Sequence, residues 1–340
     1  MFLPFLHQVA DHRDLSAAEA REAMLGILDG GVSTAQIAAF LVALRMKGET
    51  ADELMGFARA MREKAERVDV EGPLLDTCGT GGDGASTFNI STVAAFVVAG
   101  AGVRVAKHGN RSITLGSQCG SADILEQLGI EMALTPERAA EAIRLHGMGF
   151  LFAPLLHPAM KHAHPARVEL KMRTVFNLLG PLTNPARATR QLIGAPSAHA
   201  AELMARALAG LGPERAFIVH GSDGLDEVTT TGPTSVFEVR GSVVEHHTWT
   251  PADFGVREAL QAQLKGGDRH ANCLIACTVL QGGEGAPRDI VLVNAAAALV
   301  AADRATNLRD GVRLASESID SGSAWQKVEA LRTFSPRRTS

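Results

Sequence analysis

The stretch from Asp76 to Ile130 constrains the fold most. It packs Gly79, Gly81, Gly82 and Gly84 into one short turn, follows them with Asn89-Ile90-Ser91-Thr92 and an apolar run, and ends in a cationic turn holding Lys107 and Arg111. Glycines let backbone N–H groups approach an oxyanion closely, and a helix opened by Ser91 or Thr92 aims further donors and its positive end at the same anion. The stretch therefore reads as a strand, a phosphate- or diphosphate-binding turn and a buried helix. Gly79 to Gly84 also spells G-x-G-x-x-G, but a dinucleotide fold places an acid about twenty residues further on. No acid occurs between Asp83 and Asp123, and Arg104 and Lys107 stand there instead. The pattern points away from NAD and toward a phosphate-rich ligand.

Around this stretch the chain changes grammar twice. Three capping-box pairs, Ser16 with Glu19, Ser33 with Gln36 and Thr50 with Glu53, each open a run with apolar residues three or four apart. They predict a small helical domain over 1–71, whose AAFLVAL run offers an apolar face for self-association or for packing on the larger domain. From Gly72 the pattern becomes strand, glycine turn, helix, repeated: helices over 91–99, 121–128 and 136–146, and short strands over 103–106 and 150–152. This predicts a mainly parallel sheet with crossover helices and ligands beyond the carboxyl ends of the strands. Residues 157–185 return to helix and loop and are expected to join the helical domain and close a cleft over the glycine turn. The α/β domain then comprises 72–156 and 186–335, with a helix after Ser197, strands at 216–220, 236–239 and 243–246, and mixed helix and strand to about 331. Residues 336–340 form a tail.

At 340 residues and 46% apolar composition the chain can bury a substantial core in a large and a small domain. A net charge of −4 excludes a broad nucleic-acid surface. No apolar run reaches the length of a membrane span, and the N-terminus lacks the basic and long apolar regions of a signal peptide. Four cysteines without zinc spacing fit a reducing cytoplasm, with Cys273 and Cys277 as buried small hydrophobes on one helix face.

Further motifs carry chemistry. Lys107 to Arg111 follows a predicted strand and so lies at the ligand end of the sheet, with His108 as a structural hydrogen-bonder in the turn. Asp226-Glu227 follows another strand. Adjacent acids in a loop are commonly just solvated, but opposite a diphosphate they suit Mg²⁺, which takes hard oxygen ligands and bridges phosphates. Arg167, Lys171 and Arg173 read as a basic helix segment, from which one arginine facing the cleft could fork onto a substrate carboxylate. His157, His162 and His164 read as packing and turn residues.

Together DTCGTGGDG, FNIST, VAKHGNRS, GSADILEQLG, FLFAPLLHPAMKH, RTVFNLLGPLTNPA and the Asp226-Glu227 turn resemble the anthranilate phosphoribosyltransferases, essentially end to end. The resemblance implies a small all-helical domain plus a larger α/β domain with a mainly parallel central sheet, of the type shared with pyrimidine nucleoside phosphorylases. It implies a homodimer formed through the helical domain. It also implies transfer of the phosphoribosyl group of phosphoribosyl diphosphate (PRPP) to the amine of anthranilate, in tryptophan biosynthesis, with two Mg²⁺ ions. Carried over residue by residue, PRPP would be held by Gly79, Gly82, Asp83, Thr87, Asn89, Ser91, Thr92, Lys107, Thr114, Ser117 and Ser121. Anthranilate would meet Gly79, Asn110 and Arg167, and magnesium would meet Ser91, Asp226 and Glu227. No general acid or base is implied, because diphosphate leaves readily and an aromatic amine is neutral at pH 7. Two positions depart from the family pattern: Leu115-Gly116 lengthens the KHGNRS loop, and Lys171, expected near the anthranilate entrance, replaces a glycine. Two other readings compete. A nucleoside phosphorylase would cleave thymidine or uridine with phosphate, and a silent nucleic-acid-binding relative would need a basic surface.

Overall fold

The computed structural model of the chain describes residues 2–81, 87–111 and 119–334. Four helices come first: α1 (Leu3–Ala10), α2 (Ala17–Leu28), α3 (Thr34–Lys47) and α4 (Ala51–Lys64). All three capping boxes form. The hydroxyls of Ser16, Ser33 and Thr50 accept from the N–H three residues on, and the side chains of Glu19, Gln36 and Glu53 return to the cap N–H. Glu53 does more than cap. Fully buried, it also accepts from Leu15 N at 2.9 Å and Lys47 Nζ at 3.0 Å, tying α2, α3 and α4 together.

The rest of the chain forms β1 (Leu75–Gly79), α5 (Ile90–Gly100), β2 (Val105–Gly109), α6 (Ser121–Gln127), α7 (Pro136–His146), β3 (Met148–Phe152), α8 (Ala153–Leu156), α9 (His164–Leu170), α10 (Phe176–Leu179), β4 (Arg190–Gly194), α11 (Ala198–Ala209), β5 (Arg215–Gly221), β6 (Thr234–Arg240) and β7 (Val243–Trp249). Helices α12 (Pro251–Phe254), α13 (Arg269–Leu280), α14 (Ala286–Ala301), α15 (Leu308–Asp320) and α16 (Ser323–Phe334) complete it. The strands make one sheet in the order β3-β2-β1-β4-β5-β6-β7, parallel from β3 to β5 and antiparallel over β6 and β7. Chain direction along the sheet reverses between β1 and β4, where open α/β sheets bind ligands.

The strand alternation splits the core. Leu192, Phe217 and Val219 face α5, α13 and α14 in one apolar cluster, while Ile193, Ile218 and Ala216 face the opposite way, toward α11 and helices α1 to α4. The helical bundle thus shares its core with one face of the sheet. Within α3, Phe40, Leu41 and Leu44 are turned into that core. The segment 157–185 packs on the same bundle, α9 against α3 and α10 against α4.

Three sequence expectations change. Strand β4, the central partner of β1, is an addition to the strands expected. The strands expected after residue 249 are absent: among the described residues no strand follows β7. Lys107 and His108 lie inside β2, not in the turn after it. No helix among the described residues is long and apolar enough to cross a membrane.

Candidate active site

The parallel strands end in glycine where space is shortest. Gly79 and Gly194 are register partners at the ends of β1 and β4, and the loop after β5 lays Asp226 across both. A Cβ on Gly79 would lie 2.5 Å from Asp226 Oδ2, and one on Gly194 would lie 1.6 Å from the Asp226 carbonyl oxygen. That approach lets the Asp226 carboxylate accept from Gly81 N at 2.8 Å, while Glu227 Oε1 accepts from Ser91 N at 3.1 Å in the first turn of α5. The glycine turn, the start of α5 and the acidic pair are therefore one hydrogen-bonded unit.

Above this unit opens a cleft of about 930 Å³. Its walls include every candidate ligand residue within the described part of the chain: Gly79, Thr87, Asn89, Ser91, Thr92, Lys107, Asn110, Ser121, Arg167, Asp226 and Glu227. Gly82, Asp83, Thr114, Ser117 and the Leu115-Gly116 lengthening lie outside the described residues. Five buried polar atoms on these walls have no hydrogen-bond partner among the described residues: Thr80 Oγ1, Asn89 Oδ1, Thr92 Oγ1, His108 Nε2 and His157 Nε2. Buried polar groups are almost always satisfied, so such a concentration marks a surface shaped for a polar ligand.

The floor is charged and buried. Lys107 is fully enclosed, its ammonium donating to Thr77 O and lying 3.4 Å from Ser91 Oγ. Burial pushes its pKa down, opposed by the nearby carboxylates of Asp76 and Glu227. Burial likewise pushes Asp76 up, opposed by Lys107 and by hydrogen bonds from Asn184 and His108. Asp76 Oδ1 accepts from His108 N at 3.1 Å and Oδ2 from Asn184 Nδ2 at 2.8 Å, and Asn184 also donates to Ala106 O at 2.8 Å. The GPLTNP turn is thereby pinned across β1 and β2. His108 Nδ1 lies 3.2 Å from Gly180 O in the same turn, and its ring packs against that of His157. Desolvation lowers His108 to about 3, with the neighbouring His157 adding to it, and lowers His157 to about 4, so both rings are neutral at pH 7.

The acceptor side is carried by 157–185. Arg167 projects from α9 with its guanidinium over the Phe176 ring at 5.2 Å, and desolvation lowers its pKa. No acidic side chain pairs with it among the described residues, in contrast to Arg111, which is saturated by Asp123 and Glu126. Lys171 and Arg173 do not continue the helix as expected. Lys171 closes α9 in the left-handed conformation (φ 48°), and Arg173 lies beyond in the following turn. The glycine of the family pattern suits that conformation. Lys171 is not among the residues lining the cleft.

Cys273 and Cys277 are half-buried on α13, not fully buried. Sequence reasoning missed Asp76 and Asn184, and it missed Lys265 to Asp268 with Asn272, which form the wall facing Thr87. In that wall Thr87 and Lys265 make an isolated bridge, and Asn272 Oδ1 accepts from Gly267 N at 2.7 Å. The Gly266-Gly267-Asp268 run ahead of α13 was a usable signal for that wall.

Two family models match the chain: the helical bundle domain of the glycosyl transferase family over residues 3–65, and its a/b domain over residues 71–325. An anthranilate phosphoribosyltransferase of Solibacter usitatus is 65% identical over 99% of both chains. The crystal structure of the Thermus thermophilus anthranilate phosphoribosyltransferase superposes with a TM-score of 0.91 at 43% identity, covering 97% of this chain and 98% of that one. The Saccharomyces cerevisiae enzyme, solved in complex with PRPP and Mg, gives 0.89 at 29% identity, covering 98% and 97%. Sequence kinship thus runs the length of the chain, and the chain belongs to the anthranilate phosphoribosyltransferase family.

Proposed function

We propose that this cleft transfers the phosphoribosyl group of PRPP to the amine of anthranilate, giving N-(5′-phosphoribosyl)anthranilate and diphosphate. The observation that carries the reading is the hydrogen-bonded union of glycine turn, α5 N-terminus and Asp226-Glu227, facing an arginine that lacks an acidic partner among the described residues. Gly79, Gly82, Asp83, Thr87, Asn89, Ser91, Thr92 and Lys107 take the diphosphate and ribose, with Thr114, Ser117 and Ser121 toward the 5-phosphate. Gly79, Asn110 and Arg167 frame anthranilate, Arg167 forking onto its carboxylate.

The acidic pair fits magnesium. Both side chains are buried (9% exposed each), are hard oxygen donors, and are held by backbone N–H groups of the phosphate-binding elements. Asp226, Glu227 and Ser91 would hold two ions, which when bound would make diphosphate a better leaving group. The chain's own part is positional and electrostatic: α5 presents its positive end to the departing diphosphate, and Arg167 and Asn110 orient the neutral amine toward the ribose carbon. His108 and His157, both neutral, add no charge to the acceptor pocket.

The division into a helical domain of 1–71 with 157–185 and an α/β domain of 72–156 with 186–335 accords with this split between acceptor and donor sides. A homodimer through the helical bundle is supported by the outward stripe of Ala35, Ala39, Val42 and Met46 on α3, of which Met46 is 73% exposed. We place the enzyme in the cytoplasm.

The test is PRPP-dependent loss of anthranilate fluorescence at varied Mg²⁺. Asp226→Ala and Glu227→Ala should each impair magnesium-dependent turnover far more than anthranilate binding. Magnesium dependence unchanged in both variants would remove the metal assignment, and absence of any turnover in the wild type would remove the function.

A further inference from the structure

Gly81 is gripped on both sides of its Cα. Its N–H donates to Asp226 Oδ2 at 2.8 Å, and its carbonyl accepts from Arg173 Nη1 at 2.6 Å. Arg173 is itself held, because its backbone carbonyl accepts from Arg45 Nη1 near the end of α3, and the next residue, Thr174, donates its N–H to Asn177 Oδ1 at 2.9 Å. Arg173 stands three residues past the end of α9, the helix that carries Arg167 and packs on α3. A line of hydrogen bonds therefore runs from the helical bundle through Arg173 and Gly81 to Asp226.

We propose that Arg173 is a positioning residue that couples the acceptor side of the cleft to the donor side. By fixing the Gly81 carbonyl, the guanidinium restrains the backbone torsions of the residue whose N–H meets Asp226, and so sets the placement of that carboxylate for magnesium and diphosphate. A charged donor on a carbonyl makes a strong hydrogen bond, and Gly81, at φ 65°, has the backbone freedom to rotate once released. Arg45 acts one step behind: it holds the Arg173 carbonyl and so keeps the turn registered on α3. The inference rests on the reading of the cleft given above, and it assigns Arg173 no contact with substrate.

The experiment is calorimetric titration of PRPP with Mg²⁺, without anthranilate, into wild type, Arg173→Ala, Arg173→Lys, Arg45→Ala and the Arg45→Ala/Arg173→Ala double variant. Steady-state fluorescence kinetics on the same proteins give the KM of each substrate. Loss of a charge-assisted bond predicts that Arg173→Ala weakens Mg²⁺–PRPP binding about tenfold, with the PRPP KM rising in parallel and the anthranilate KM changing less. Lysine keeps one donor, so Arg173→Lys should recover most of that loss. Arg45→Ala should weaken binding when Arg173 is present and add nothing when it is absent, the signature of one path. Wild-type Mg²⁺–PRPP affinity in Arg173→Ala, or an equal effect of Arg45→Ala in both backgrounds, would overturn the proposal. Should Arg173→Ala fail to fold, Arg173→Lys and Arg45→Ala decide by the same binding measurement. An inactive wild type removes the functional reading; an active wild type with Arg173→Ala binding normally removes Arg173 alone.

Discussion

Substituting Gly194 tests the site without touching a ligand residue. An alanine Cβ there would lie 1.6 Å from the Asp226 carbonyl oxygen. Non-bonded heavy atoms settle near 3.5 Å, so the Asp226 loop must withdraw by about 2 Å, being the partner freer to move than a central strand. Misplacement of a reacting group by about 1 Å can cost about a hundredfold, so Gly194→Ala should lower kcat/KM by at least that factor, about 2.7 kcal/mol of transition-state stabilisation. Overpacking should cost a further 1–3 kcal/mol or so of folding stability. The assay is PRPP-dependent loss of anthranilate fluorescence across a magnesium titration, paired with urea unfolding. Gly241→Ala, in the β6–β7 turn at φ 58° with nothing within 4 Å of its added Cβ, is the control. It should lose stability through backbone strain while retaining turnover. Gly194→Ala retaining kcat/KM within about threefold, roughly half a power of ten, would refute the claim that the placement of Asp226 governs the reaction.

The buried histidines give a pH prediction. Their folded values, about 3 for His108 and about 4 for His157, lie below the ordinary 6.5, so the unfolded chain takes up protons that the native chain refuses. Their contribution to stability is complete above about pH 6.5 and falls as pH drops toward 4, by up to about 1.4 kcal/mol per pH unit for each histidine. His157→Asn should lose less stability than wild type between pH 7 and pH 5 in urea unfolding; parallel curves would contradict this. Lys171→Gly relieves a left-handed side-chain-bearing residue worth about 1–2 kcal/mol, partly offset by glycine's freedom in the unfolded chain. A net gain of about 0.5–1 kcal/mol with an unchanged anthranilate KM is expected. A shifted anthranilate KM would show that the lysine reaches the cleft after all.

What can be read from the sequence is what local chemistry determines. The caps at Ser16, Ser33, Thr50, Thr135 and Ser197 each depend on residues within three positions, and all five form. The glycine turn and the acids are legible because each residue type announces its ligand. Strand β4 escapes because RQLIG is a five-residue run that opens with two polar residues, and its place beside β1 is decided by packing across the sheet. Lys107 reads as a turn residue because a lysine within a buried strand makes sense only beside Asp76, which is far from it in sequence. Arg173 reads as part of a basic helix face. Its partner Gly81 is ninety-two residues distant, and nothing local to either announces the pairing.

The two borders of the sheet differ in a way that bears on assembly. Strand β3 is buried along nearly its whole length beneath α7 and α16, while β7 is open but carries Glu245, His246, His247 and Thr248 along an alternating, largely solvated ribbon. Polar and ionisable side chains on an open rim discourage backbone pairing with a neighbouring molecule. Growth by strand addition is thus blocked at one border by cover and disfavoured at the other by charge. Any contact between copies would then have to be made by side chains and not by extension of the sheet.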